Sequence, residues 1–117
     1  MHTEKEILIP ALAKSITYRI GKSQQGNDAL LDLARPIDIW FHLAGDSSPH
    51  VIANMDDTPL NKKQRLQIIK QGALLCKQHS RKKSEKDVEI VYCNVADIEK
   101  TNVPGTVIAH KSKYIVV

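Results

Sequence analysis

The sequence predicts an α+β fold, with a mainly antiparallel sheet and two helices in a single domain spanning residues 1–117. Apolar and polar residues alternate over several short segments, which is typical of half-buried strands. One longer segment carries apolar residues at helical spacing. The segments follow the order strand, helix, strand, strand, helix and three strands, and this order predicts the fold class.

The N-terminal segment, residues 1–14, contains a short apolar stretch from Glu6 to Leu12. Pro10 removes a backbone donor, so this stretch is predicted to be an N-terminal arm or an edge strand. The next segment, Ser15 to Ile20, alternates regularly and predicts a strand.

A loop from Gly21 to Gly26 precedes the first predicted helix. Asn27 is a favourable N-cap, so we expect the helix to begin there and to run to about Ala34. The loop has no P-loop or G-x-G-x-x-G pattern, although a strand–loop–helix arrangement is able to bind an anion.

The second predicted helix opens at Thr58, as N-cap, and Pro59, as first helical residue. We expect it to end near Ser80. Its predicted core stripe consists of Leu66, Ile69, Ala73 and Cys76, flanked by Ile68 and Leu75. Its polar stripe consists of Lys63, Gln67, Lys70 and Lys77.

The C-terminal part is predicted to complete the sheet. Asp87 to Cys93 alternates as a strand, and Asn94 to Lys100 is interpreted as a connection. Thr106 to Ala109 and Tyr114 to Val117 are predicted to pair as a closing hairpin.

The two central strands, Ile37 to Leu43 and His50 to Met55, carry the most informative pattern of the chain. One face of the first strand holds Ile37, Ile39, Phe41 and Leu43, and the other holds Asp38, Trp40 and His42. A hairpin register that places His50 beside His42 and Ile52 beside Trp40 gathers polar and aromatic groups into one patch.

This patch has several interpretations. It is a second packed face, or a recognition surface on which Trp40 stacks on a base while His42 and His50 reach phosphate or base edges. A metal site from the two histidines and Asp38, and a triad of Ser47 or Ser48 with His42 and Asp38, have weaker sequence support. The pattern favours binding over catalysis, and nothing in it calls for a cofactor or a metal.

Charge is distributed unevenly along a chain of net charge +4 and pI near 9.1. A basic region between Asn61 and Lys86 predicts attraction to polyanions. The residues expected to contact phosphate are Lys63, Lys70, Lys77, Arg81, Lys82 and Lys83. The alternative interpretation is a solvated helix face followed by a charged loop.

No apolar run approaches the roughly 20 residues that span a bilayer, and the N-terminus lacks a signal-peptide layout. We therefore expect a cytoplasmic protein without membrane association. Cys76 and Cys93 have no zinc-binding spacing and are interpreted as reduced core thiols.

These residues resemble the NFACT-R domain from about Ser15 onward. The resemblance rests on the following segments: Gly21-Lys22-Ser23, Gly26-Asn27-Asp28, Asp38-Ile39-Trp40-Phe41-His42, Ser48-Pro49-His50-Val51, Val88 to Tyr92, Ile98-Glu99-Lys100 and Pro104-Gly105-Thr106-Val107. The matching positions are Gly21, Asn27, Asp38, Trp40, His42, His50, Lys100 and Gly105.

The resemblance implies a module that binds structured RNA, such as tRNA or rRNA, in a translation or ribosome quality-control setting, with the large ribosomal subunit as a further partner. The implied RNA-binding patch comprises Asp38, Trp40, His42, His50 and Lys100, with Gly21 and Asn27 as loop or cap residues and Asp38 orienting an imidazole. Because the other parts of those factors have no counterpart here, we interpret the chain as a stand-alone domain. Alternatives are a nucleic-acid-processing enzyme using His42 and His50, DNA binding, and docking to a ribosomal protein.

Overall fold

The computed structural model describes residues 2–117, which form eight β-strands and two α-helices. The elements are β1 (His2–Ile9), β2 (Lys14–Gly21), α1 (Gln24–Leu33), β3 (Ile39–Leu43), β4 (Val51–Ala53), α2 (Lys62–Gln78), β5 (Glu89–Asn94), β6 (Ile98–Lys100), β7 (Val107–Ala109) and β8 (Lys113–Val116). Six strands form an antiparallel sheet in the order β1-β2-β4-β3-β5-β8, and β6 pairs with β7 separately. The predicted α+β class is confirmed.

The N-terminal segment is an edge strand. β1 pairs with β2 along its whole length, from His2 opposite Gly21 to Ile9 opposite Lys14. Pro10 lies just beyond β1 in a short 3₁₀ turn, where its missing N–H interrupts no sheet hydrogen bond.

The central hairpin has the predicted register, with Trp40 opposite Ile52 and Phe41 opposite Val51. Successive side chains of β3 therefore point to opposite faces of the sheet. Ile39, Phe41 and Leu43 belong to the larger core, together with the buried side of α2. Trp40 belongs to a second cluster, with Leu30 and Leu31 of α1 and with Ile52 and Cys93. The two helices thus cover opposite faces of the sheet.

Gly72 makes close packing of α2 possible. A Cβ atom at this position would lie 2.2 Å from Cζ of Phe41, so only glycine admits the ring. On the same face, the Tyr18 hydroxyl donates a 2.8 Å hydrogen bond to the Ile68 carbonyl. Within residues 2–117, no helix has the length and hydropathy of a membrane-spanning segment.

Both predicted helix starts are wrong. Ser23 caps α1, because its Oγ accepts a hydrogen bond from the Gly26 N–H at 2.9 Å, whereas Asn27 is buried inside the helix. Asn61 caps α2 through a reciprocal capping box with Gln64. Thr58 instead donates its backbone N–H to Asp56 in a turn that precedes the helix.

Two residues assigned to the core are exposed. Ile37 precedes β3 and is 39% exposed, because the strand begins only at Ile39. Leu66 is 45% exposed, since the first turns of α2 border a groove.

The predicted C-terminal hairpin is also wrong. β7 pairs with β6, and β8 joins the edge of the main sheet beside β5. The segment interpreted as a connection contains a 3₁₀ turn, Val95–Asp97, followed by β6. The separation of β7 from β8 allows Ile115 and Val117 to pack on the main core while β6 and β7 pack beside Trp40.

Candidate nucleic-acid interface

Trp40, His42 and His50 form one aromatic cluster, as their register predicts. The Trp40 Nε1–H donates a hydrogen bond to Nδ1 of His50 at 3.0 Å. The rings of Trp40 and His42 are stacked, with centroids 5.6 Å apart and an interplanar angle of 9°. The His50 ring stands edge-on to both of them. Each ring therefore restricts the orientation of the other two.

The three residues differ in exposure. Trp40 is 3% exposed and His50 is 1% exposed, whereas His42 is only partly buried. The prediction that Trp40 offers a ring face to an RNA base disagrees with this burial, because α1 and the β6–β7 sheet pack beside the indole. Of the cluster, His42 is the member that reaches solvent.

Hydrogen bonds determine which ring nitrogen carries the proton in each neutral histidine, and the two histidines differ in this tautomer. His42 Nδ1 lies 2.6 Å from the Leu43 carbonyl, which is able only to accept, so this nitrogen carries the proton. Its Nε2 is then an acceptor and has no hydrogen-bond partner among residues 2–117. For His50, the Trp40 donor makes Nδ1 the acceptor and places the proton on Nε2, which faces the Gly105 backbone.

Burial favours the neutral state of both rings. It lowers the pKa of His50 to about 4, with the neighbouring His42 acting in the same direction and the Gly105 backbone opposing it. Burial also lowers the pKa of His42, against the hydrogen bond to Leu43 and the charge of Asp46. His42 and His50 both line the cleft described below, but His50 is 1% exposed, so His42 is the more accessible of the two imidazoles.

His50 is held from its backbone as well. Its N–H donates to Asn27 Oδ1 at 3.1 Å, and its carbonyl accepts from the Gly21 N–H at 2.9 Å. A Cβ at position 21 would lie 1.9 Å from Asn27 Oδ1, so this close approach requires glycine. Gly21 and Asn27 therefore hold β2, α1 and β4 together beneath the cluster.

Asp38 does not orient an imidazole, contrary to the prediction. Its carboxylate accepts hydrogen bonds from the backbone N–H groups of Arg35, at 2.9 Å, and Met55, at 2.8 Å. The side chain is 1% exposed. Asp38 thus closes the turn before β3 and fixes the end of β4.

An open cleft lies above His42. This His42 cleft has a volume of about 320 Å³, and its lining includes Gln24, His42, Ser47, Ser48, Gly105 and Thr106. A neighbouring cavity of about 400 Å³ shares Gln24, Asn27, Ser47 and Ser48 with it and extends to Lys22, His79 and Arg81. Arg81 donates hydrogen bonds to Ser47 Oγ at 2.9 Å and to Asp46 at 3.3 Å. The sequence does not predict that Gln24 and Thr106 line the cleft, because their positions depend on the Ser23 cap and on the placement of β7.

The predicted phosphate-contacting residues do not share one surface. Lys63 and Lys70 are exposed on α2, which covers the sheet face opposite Trp40. Lys77 donates a hydrogen bond to the Val117 carbonyl at 3.3 Å. Arg81 lies at the extended cleft, and Lys82 and Lys83 follow it directly in the chain. The basic helix and the histidine patch therefore do not form a single site.

Lys100 has a structural position. Its Nζ lies 2.7 Å from Asp32 and 3.1 Å from Asp28, both on α1. Hydrogen bonds to Asp32 and then Asp28 raise the pKa of its ammonium group. Lys100 thereby ties β6 to α1.

Among residues 2–117, no three His, Cys, Asp or Glu side chains group closely enough to hold a metal ion. Cys76 and Cys93 are free and buried in different clusters.

The fold and the cleft define a small α+β binding domain. The family model of the NFACT protein RNA binding domain matches residues 13–112, and the chain belongs to this family. The predicted resemblance is confirmed, and RNA binding is the property by which the family is described.

Nine solved chains match this chain significantly. One of them, with the same fold, is the C-terminal part of the fibronectin/fibrinogen-binding protein from Streptococcus suis, with a TM-score of 0.82 and 19% sequence identity. The match covers 100% of this chain and 45% of that chain, so the present chain spans less than half of it. A comparison with curated protein sequences finds no significant match.

Proposed function

We propose that this domain binds structured RNA, tRNA or rRNA, through the His42 cleft, in a ribosome-associated role in the cytoplasm. The family supplies the RNA-binding class. The observation that carries the choice of site is the free acceptor on His42 Nε2, at the most exposed member of the aromatic cluster.

A neutral imidazole with its Nδ1–H already engaged is able to accept one hydrogen bond at Nε2. The complementary group on RNA is a donor, and the ribose 2′-hydroxyl is the donor that DNA lacks. Stacking on Trp40 and the hydrogen bond to Leu43 hold the His42 ring in place before binding. Such preorganisation reduces the entropy lost on binding.

The surroundings of His42 suit a sugar–phosphate backbone. Ser47 and Ser48 bring hydroxyl groups to the cleft, and Lys22 and Arg81 bring positive charge to its extension, where Arg81 also forms an exposed ion pair with the single carboxylate of Asp46. We assign phosphate contacts to Arg81, Lys82 and Lys83 rather than to Lys63 and Lys70 on the opposite face. Trp40, His50, Asp38 and Lys100 act as supports that shape the site.

The test is the affinity for fluorescent tRNA and for a matched DNA duplex, measured over a range of salt concentrations. We expect Arg81→Ala to weaken tRNA binding and to reduce the salt dependence, because a phosphate contact is lost. The matched control is Lys70→Ala, which removes one charge from the opposite face and should leave affinity nearly unchanged.

Three outcomes contradict the proposal. Equal losses in the two variants mean generic attraction to polyanions, and equal affinity for RNA and DNA means that the cleft does not select RNA. Salt-independent, nuclease-resistant association with ribosomes means docking on a ribosomal protein.

A further inference from the structure

Another cavity lies on the α2 side of the sheet. It has a volume of about 340 Å³ and is bounded by Lys62, Arg65 and Leu66 of α2, Tyr92 of β5, Lys113 of β8, and Lys111 in the turn before β8. We name it the Tyr92 groove. It shares no lining residue with the His42 cleft, so it is a separate place on the molecule.

The groove concentrates positive charge. Lys62, Arg65, Lys111 and Lys113 line it, against the single carboxylate of Asp97. Within residues 2–117, none of these four cations forms an ion pair. Unpaired cations of one sign around a concave surface attract an anionic ligand.

The wall between these cations is apolar. Leu66 is exposed although it lies at a helix position that predicts burial, and Ile69 and Tyr92 continue the surface. The Tyr92 ring packs on Phe41 with centroids 6.2 Å apart, and this contact fixes its orientation. An apolar and aromatic wall beside several cations suits a ligand with a planar apolar part and an anionic part.

We propose that the Tyr92 groove binds a nucleoside phosphate, with the base against Tyr92 and Leu66 and the phosphate among the four cations. A mononucleotide has both the planar part and the anionic part that the groove complements, whereas an acidic peptide lacks an aromatic base. The site is additional to the RNA-binding cleft and does not depend on it.

The test is a titration of the ¹⁵N-labelled protein with adenosine 5′-monophosphate, followed by amide chemical shifts. We expect shifts around Lys62–Leu66, Tyr92 and Lys111–Lys113, and none around His42. The double variant Lys111→Glu and Lys113→Glu should weaken binding by about tenfold, because it reverses two charges in the groove. The matched control, Lys63→Glu with Lys70→Glu, makes the same charge change on the exposed side of α2 and should alter affinity less than about twofold.

Parallel titrations resolve the chemistry. Adenosine and inorganic phosphate should each bind more weakly than the nucleotide, and Tyr92→Leu should weaken the nucleotide more than inorganic phosphate. If 5′-phosphorylated triadenylate binds more tightly than the monophosphate, the ligand of the groove is a nucleotide within a strand. If the two bind equally, the ligand is the free nucleotide.

Several results overturn the inference. They are equal losses in the two double variants, phosphate binding as tight as nucleotide binding, shifts confined to the His42 cleft, or a glutamate octapeptide that outcompetes the nucleotide. Because the double variant is able to perturb β8, the Lys111→Gln, Lys113→Gln variant is measured as well. If this variant retains both native amide dispersion and wild-type affinity, the charges of Lys111 and Lys113 have no role in binding and the inference is overturned.

Discussion

The indole N–H of Trp40 donates a hydrogen bond to Nδ1 of His50, at 3.0 Å and with both side chains buried. This contact joins β3 to the residue just before β4 and fixes the tautomer of His50. It also positions the ring on which His42 stacks. The most distinctive residue of the chain therefore acts beneath the surface, as a support for a histidine that reaches it.

Trp40→Phe should destabilise the fold by about 1–3 kcal/mol, because it leaves a buried acceptor on His50 without a donor. Urea denaturation measures this free energy of unfolding. The exposed Tyr114→Phe is the control, and it should change stability by less than about 0.5 kcal/mol. Similar values for the two variants would contradict the supporting role of the Trp40–His50 bond.

Gly21→Ala should destabilise the fold by about 2 kcal/mol or more, since its Cβ overlaps Asn27 Oδ1. A double-mutant cycle with Asn27→Ala separates this clash from other effects. Asn27→Ala removes the overlapping atom, so adding Gly21→Ala to it should cost much less than Gly21→Ala alone. Additive losses would mean that the close approach is not the cause.

Stability should fall as the pH decreases from about 6.5 to about 4. The folded-state pKa of His50 is about 4, against about 6.5 when unfolded, so the unfolded chain binds more protons in this window. His50 makes its full contribution to the free energy of unfolding above pH 6.5, and about 3 kcal/mol of this free energy is lost by about pH 4. Urea denaturation at intervals of pH measures it. His50→Gln should flatten the profile, and an unchanged profile would assign the dependence to other groups.

His42→Phe should reduce the preference for RNA over DNA, because it retains an aromatic ring on Trp40 but loses the Nε2 acceptor. We expect a loss of about five- to tenfold in tRNA affinity, as for one neutral hydrogen bond, and little change for the DNA duplex. A 2′-O-methylated RNA should bind the wild type as weakly as the variant binds unmodified RNA. If methylation has no effect, the acceptor does not contact a 2′-hydroxyl.

Lys100→Ala should lower stability by no more than about 1 kcal/mol, because its ion pairs with Asp28 and Asp32 are solvent-accessible. Its tRNA affinity should remain within about twofold of wild type, since the charge is already neutralised by two carboxylates. Fluorescence titration and urea denaturation measure the two effects. A large loss of tRNA affinity with unchanged stability would mean that Lys100 contacts RNA directly.

Local patterns predicted much of the fold. The alternation in β3, with its apolar Ile39 and Phe41 and its opposite Trp40, gave the correct strand, hairpin register and family resemblance. The predicted starts of the two helices are wrong because several short polar residues near each start are equally good N-caps. The backbone conformation selects Ser23 rather than Asn27, and Asn61 rather than Thr58.

The sequence by itself determined the α+β class, the pairing of β3 with β4 and the gathering of His42, His50 and Trp40, because strand alternation and a short loop specify these locally. Only the tertiary structure decided which of these side chains reach solvent and which cations lie beside them. Burial depends on what packs over a face, and the β6–β7 sheet beside Trp40 comes from a distant segment of the chain, although α1 directly precedes β3. The same long-range packing places Lys63 and Lys70 on the face opposite His42, and brings Lys111 and Lys113 to Arg65 and Tyr92.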